Sequence, residues 1–174
     1  VFFWQDSLKA LEETGMIEEK REMLRHTLAT VAYRGGKVLR NAPAGFAGFR
    51  AGATSRTAVQ ILAHIGDLFE WALTMAKGEE AWHDTPPRPW AQEVERFFAT
   101  LLAFDEFLAS GAPLAAGAEG LFQGPVADAL THAGQIAMFR RLAAAPVKGE
   151  NYFRAEIVAG RVGPDQSPPR RESE

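Results

Sequence analysis

Apolar residues recur at helical spacing in four segments of the chain. In the first, residues 17–40, Ile17, Leu24, Leu28, Val31 and Val38 fall on one side, and Glu18, Glu19, Glu22 and Arg25 lie off it. That is the stripe of an amphipathic helix facing a core. Asn41, Ala42 and Pro43 end it. Residues 45–52 read as a Gly/Phe-rich connection holding Phe46 and Phe49. The second helix is expected to start at Thr54 or Ser55, either of which can accept from the orphan N–H groups of a first turn. It continues to Lys77, where Gly78 is a natural terminator. Residues 79–89 contain Pro86, Pro87 and Pro89 and read as loop. The third helix, residues 90–110, aligns Trp90, Val94, Phe97, Leu101, Phe104 and Leu108 on one stripe. Residues 111–124 are rich in Gly and Ala and form a further connection. The fourth helix is expected from Pro125, which suits a first helical position, to Ala144, just before Pro146.

Beyond it, residues 149–160 have room for a short helix around Tyr152 and Phe153, and residues 164–174 read as a disordered tail. Strand patterning is weak and there is no internal repeat. The chain is therefore expected to be all-α, a four-helix bundle filling one domain over residues 1–163. Helix order and handedness stay open.

The polar residues on apolar stripes are the informative ones. Spacing by three and four aligns Thr57, Ile61, His64, Leu68, Trp71 and Met75 in the second helix, so His64 faces inward with Ile61 and Leu68. Gln60, Asp67, Glu70 and Thr74 follow a more polar stripe and read as solvated. In the fourth helix the same spacing aligns Asp128, His132, Gln135, Phe139 and Leu142. Asp128 and His132 are four apart, hence one turn apart on one face. A buried carboxylate is costly unless it is paired or binds a metal. A His from one helix with an Asp/His pair from another suits a divalent ion. The plainer reading stands beside it: a hydrogen-bonded core histidine, and a surface ion pair at i, i+4.

At these residues the chain resembles the DinB-like superfamily, the DinB/YfiT-like metalloenzymes. The resemblance is carried by RTAVQILAHIGDL at residues 56–68 and THAGQ at residues 131–135. It continues from RRLA at residues 140–143 to GENYF at residues 149–153. It spans about residues 17–163. It implies a four-helix bundle whose metal is commonly held by three histidines, one on the second helix and an H-x-x-x-H pair on a later one, followed by Gly-Gln. His64 and His132 match two of them, and the third falls on Asp128, a departure from the pattern. The resemblance thus implies one divalent ion, Zn or Ni first and Fe or Mn after them, on His64, Asp128 and His132. Two His and one carboxylate would leave positions open for substrate or water. Related members include thiol S-transferases that use low-molecular-weight bacterial thiols, and maleylpyruvate isomerase-like enzymes. The metal would then bind and deprotonate a thiol cosubstrate. The other course is a metal-bound water of lowered pKa, giving hydrolysis. The competing class is a non-catalytic bundle acting in interaction or stress response, with a vestigial metal pocket.

Composition narrows the partners. Nineteen basic against 22 acidic residues give a net charge of −3, with no basic stripe on the folded region, so nucleic acid is not expected. The absence of cysteine removes disulfides, Cys-ligated metal and a cysteine nucleophile, so any thiol must arrive with the substrate. No apolar run reaches the length needed to span a bilayer. The apolar residues 1–4 stop at Gln5 and Asp6, without the basic n-region or longer h-region of a signal peptide. A first residue of Val leaves room for residues upstream. A cytoplasmic location is the expectation.

Around the proposed ligands, Asp67 is three after His64 and is a candidate to orient its imidazole, with a solvated carboxylate as the alternative. Gln135 extends the Asp128/His132 face as a candidate to hold a metal-bound water. His26 and His83 read as surface, Asp105 as a structural hydrogen-bonding group, and Arg140 and Arg141 as a solvated helix end or an anion contact. Glu80 and His83 have the Glu-x-x-His spacing of di-iron bundles but fall in a loop, which excludes that reading. Phe46, Phe49, Trp82 and Trp90 lie in or beside connections that one bundle need not cover, which points to a homodimer.

Overall fold

The chain, seen in a computed structural model, is described along its backbone over residues 2–173, with the side chains of Lys9 and of residues 12–173. The side chains of residues 1–4, read above against a signal peptide, lie outside the described ones. Helices α1 (Phe2–Leu39), α2 (Ala58–Lys77) and α3 (Trp90–Ala109) are followed by α4 (Ala118–Leu121), a π-helical turn (Phe122–Val126) and α5 (Ala127–Leu142). Strands β1 (Gly149–Glu150) and β2 (Glu172–Ser173) pair antiparallel. The protein is mostly helical, with little sheet. Among the described residues no helix is long and apolar enough to cross a membrane.

The predicted stripes build the core. Leu24, Leu28, Val31 and Val38 of α1 meet Phe97, Leu101, Phe104 and Leu108 of α3 and Ile61, Leu62, Ile65 and Leu68 of α2, all buried. Helices α1 and α2 each pack on both α3 and α5, so α1 and α2 take opposite corners of the bundle. The connection between them must cross the bundle end, which explains its length. It does so by sinking Phe46, whose ring meets Phe49 at 6.2 Å and Trp90 at 5.4 Å, while Phe49 packs on Phe139 at 5.5 Å. Three of the four aromatics that suggested a homodimer are thus used within one chain. Close helix approach needs glycine at two places. A Cβ on Gly35 would lie 2.5 Å from Phe97, and one on Gly66 would lie 2.9 Å from the Arg96 guanidinium.

Several boundaries differ from expectation. Helix α1 begins at Phe2 rather than near Ile17, and residues 12–20, Ile17 included, are exposed. This stretch runs clear of the core, so it has no stripe for periodicity to detect. The cap of α2 is Thr57, not Thr54 or Ser55: its hydroxyl accepts from Gln60 N–H while the Gln60 side chain accepts from Thr57 N–H, a reciprocal capping box. The expected connection before Pro125 is already helical from Ala118. Pro125 lies inside the π turn. It lacks an N–H and its ring crowds the carbonyl four residues back, and the wider turn accommodates both. The expected disordered tail is instead placed as far as Ser173, with Gly149 opposite Ser173 and Glu150 opposite Glu172. Its polar composition concealed the ion pair from Lys37 to Glu172 that holds it down.

Candidate metal centre

Adjacent helices supply the three residues: α2 carries His64, and α5, which follows the π turn directly, carries Asp128 and His132. The two imidazole centroids are 4.9 Å apart, edge to face. Asp128 reaches both rings, its Oδ2 lying 3.7 Å from His64 Nε2 and its Oδ1 3.5 Å from His132 Nε2. One donor atom from each residue falls within 4.8 Å of the others. The side chains of His64 and His132 are 16% and 12% exposed, that of Asp128 46%, so the carboxylate forms the open lip of the cluster.

These separations are too long for hydrogen bonds. They lie close to the roughly 3.3 Å that separates two ligand atoms at tetrahedral angles around an ion at 2.0–2.1 Å. His132 Nδ1 is 2.9 Å from Gln135 Oε1. An amide oxygen only accepts, so this contact puts the proton on Nδ1 and leaves the Nε2 lone pair facing Asp128. Gln135 therefore orients an imidazole directly. Among the described residues the His64 ring has no hydrogen-bond partner. A satisfied core histidine is not what the fold builds here. Burial holds the His64 pKa below its ordinary value, with Arg56 and His132 adding repulsion and Asp128 and Asp67 partly opposing it. At neutral pH His64 is an uncharged imidazole, the form that ligates a metal.

His64 stands between two clefts. One, of about 470 Å³, is lined by His64, Leu68, Trp71, Glu80, Trp82 and Asp128. The Trp82 ring meets His64 and Trp71 edge to face, each at 5.6 Å. The other, of about 280 Å³, has Arg56, Gln60, Asp67, Asp84 and Thr85 in its walls. Glu80 reaches the first cleft from a backbone with φ of 31°, a region uncommon for a non-glycine residue. Trp82 lines the cleft while staying 40% exposed, and His83 and His26 are exposed as expected.

Asp67 does not orient His64, and it is not solvated. It is buried, its Oδ1 accepting from Arg96 Nη2 at 2.5 Å and its Oδ2 from Thr85 N–H at 3.1 Å. Arg96 also pairs with Glu70 at 2.9 Å and Glu93 at 3.6 Å, and donates to Ala63 O and Thr85 Oγ1. Glu93 in turn accepts from Arg88 N–H. Burial acts to lower the Arg96 pKa, but its hydrogen bonds to Glu70 and Asp67 outweigh it and leave it raised. This cluster ties residues 85–88 to α2 and α3, and so fixes the loop that carries Glu80 and Trp82. Arg96 drew no attention in the sequence because a cation beside an apolar stripe looks like any solvated flank. Gln135 itself is exposed, and Leu142 lies outside the core. Asp105 is structural, pairing with Arg25 at 3.1 Å.

The fold and site define a mostly helical protein with a histidine–aspartate–histidine cluster at the mouth of an aromatic cleft. No family model, no curated protein and no solved structure matches the chain. The DinB-like resemblance thus rests on the sequence motifs quoted above.

Proposed function

We propose that the chain is a metal-dependent enzyme of the DinB-like type, a thiol S-transferase or hydrolase, with one divalent ion on His64, Asp128 and His132. The observation that carries this reading is the convergence of two imidazole Nε2 atoms and a carboxylate from two helices, none of them spent on hydrogen bonds to each other. The donor set fits Zn or Ni, and also Fe or Mn. When bound, such an ion polarises a substrate oxygen or sulfur and lowers the pKa of a thiol or water. The chain's own residues do the rest. Gln135 fixes the His132 tautomer, Trp71 and Trp82 supply an aromatic wall for an apolar part of the substrate, and the Glu80 carboxylate stands in the same cleft to take up a proton. The open cleft supports catalysis over a vestigial, packed pocket.

Metal analysis of protein purified without a His tag tests the reading. The parent is expected to hold one ion per chain. His64→Ala should lose most of it while keeping its helical circular dichroism, because the core does not depend on this ring. Asp128→His should retain metal and shift the preferred ion. An unchanged metal content in His64→Ala, or a parent without metal after growth with Zn, Ni, Fe and Mn, would refute the proposal.

A further inference from the structure

A further cavity, of about 250 Å³, lies where α1 and α5 end, and shares no residue with the His64 clefts. Four of its lining residues are cations: Lys37, Arg40, Arg140 and Lys148. The chain as a whole is acidic, at −3, so this concentration of positive charge is not a reflection of composition.

Arg140 is its floor. It is only 6% exposed, yet no carboxylate among the described residues pairs with it. Nε donates to Ala145 O at 2.8 Å, and Nη1 to Val38 O and Arg40 O at 3.2 and 2.9 Å. These bonds cap the carbonyl end of α1. Among the described residues they leave Nη2 without a hydrogen-bond partner, and that atom is not sealed from solvent. A guanidinium stays charged in proteins, so its unused donor faces the cavity as a cation. Arg40 spends Nε on Gly36 O at 3.2 Å, and its two Nη groups, like the Lys148 ammonium, have no hydrogen-bond partner among the described residues.

Among the described residues two carboxylates balance the four cations, both paired with Lys37, and Lys148 also attracts Glu172. Glu150, whose side chain is fully buried, accepts from Lys37 at 2.7 Å and from the Tyr33 hydroxyl at 2.6 Å. It belongs to the wall. Glu172 lines the cavity and accepts from Lys37 at 2.9 Å. It is held otherwise by a strand pair two residues long, which has little stability of its own. The balance is two positive charges in excess.

We propose that this cavity is a binding site for the phosphate group of a small molecule, and that Glu172 is the chain's own anion in that site, displaced from Lys37 when phosphate enters. The two excess charges match a dianion better than a monocarboxylate. Arginine forks and lysine point charges are the donors that recognise phosphate.

Isothermal titration of the full, chelator-treated chain with inorganic phosphate, at pH 8 and low ionic strength, tests the site. Saturable 1:1 binding is expected, with Kd on the order of 1 mM or tighter, and acetate should bind at least several-fold more weakly. The double variant Arg40→Gln/Lys148→Gln changes only exposed side chains, so it should fold, and should bind phosphate at least tenfold more weakly. Glu172→Gln should bind it more tightly, and His64→Ala should bind it as the parent does. Phosphatidic acid vesicles serve as the lipid arm, and inorganic phosphate binding without vesicle binding assigns a soluble ligand. No saturable heat up to about 20 mM phosphate, an unweakened double variant, equal affinity for acetate, loss of binding in His64→Ala, or binding of vesicles alone would each overturn the proposal.

Discussion

Replacing Arg96 by Met tests whether the cluster behind the metal centre holds the fold. Methionine occupies much of the arginine stem's volume, so the main change is loss of the charge. Arg96 is 5% exposed at its side chain and stands 2.5 Å from Asp67 and 3.6 Å from Glu93, whose side chains are 4% and 0% exposed. Removing the cation leaves two buried carboxylates facing each other with no counter-charge. Removing one partner of a buried ion pair costs about 3–5 kcal/mol, because the remaining charge stays desolvated. Glu70 is partly exposed and adds little, since water can take over from the arginine. With a urea m-value of about 2 kcal/mol/M, the midpoint of unfolding should fall by roughly 1.5–2.5 M. Circular dichroism and tryptophan fluorescence should report the change differently under native conditions. Helix content should persist, while Trp82 becomes more solvated as residues 85–88 lose Arg96, Asp67 and Glu93 as anchors. Adding Asp67→Asn to Arg96→Met should recover part of the loss. A cost below about 1 kcal/mol, within the range of an exposed pair, would mean that the cluster is solvated. It would also return Asp67 to candidacy as a partner of His64.

Three further outcomes follow from the same geometry. In metal-free protein the lowered His64 pKa means that the unfolded chain binds the proton first. Stability should therefore fall as pH drops from about 6.5 towards the lower folded value and level off below it, and denaturation of His64→Gln should lack that slope. Gly35→Ala drives a methyl into Phe97 at 2.5 Å, so an overpacking cost of about 1–3 kcal/mol should outweigh the gain of about 1 kcal/mol in helix propensity, and calorimetry should show a lower Tm. Gln135→Leu frees the His132 ring from its one hydrogen bond, and chelator competition should find metal affinity reduced by roughly 10–100-fold with little change in Tm.

What could be read from the sequence was whatever burial writes into it. The stripes of α2 and α3 were legible because one face of each helix is in the core, and the ends at Gly78 and Trp90 because glycine and proline punctuate the backbone. Residues 12–20 of α1 were not, since they are exposed and meet no core. The turns before Asp128 were misread because Gly120, Gly124 and Pro125 signal a loop unless a π turn absorbs the proline. His64 and His132 were found as polar interruptions of apolar stripes, and they do converge. Asp67 reads as solvated or as a partner of His64 because its actual partner, Arg96, is 29 residues away in sequence. Spacing within a helix cannot see a pairing between helices. The same limit hid the Lys37 contacts with Glu150 and Glu172, 113 and 135 residues distant, and with them the order of the tail.

The two clusters on α2 divide the labour between fold and site. Asp67 sits three residues after His64, yet its charge is consumed by Arg96 and by the Thr85 amide. Were it free, it would compete with Asp128 for the His64 ring and hold that imidazole in a charged hydrogen bond. With Asp67 occupied, the His64 nitrogens remain unpartnered, and the ring is positioned by edge contacts with Trp82 and His132 instead. His132 is held differently, through Nδ1 to Gln135. Both Nε2 atoms face Asp128, whose side chain is half exposed to solvent. The centre therefore costs the metal-free fold little, while Arg96 carries the stability of the surrounding loop. That separation is what lets Arg96→Met and His64→Ala be told apart: the first should unfold easily and the second should fold and fail to hold metal.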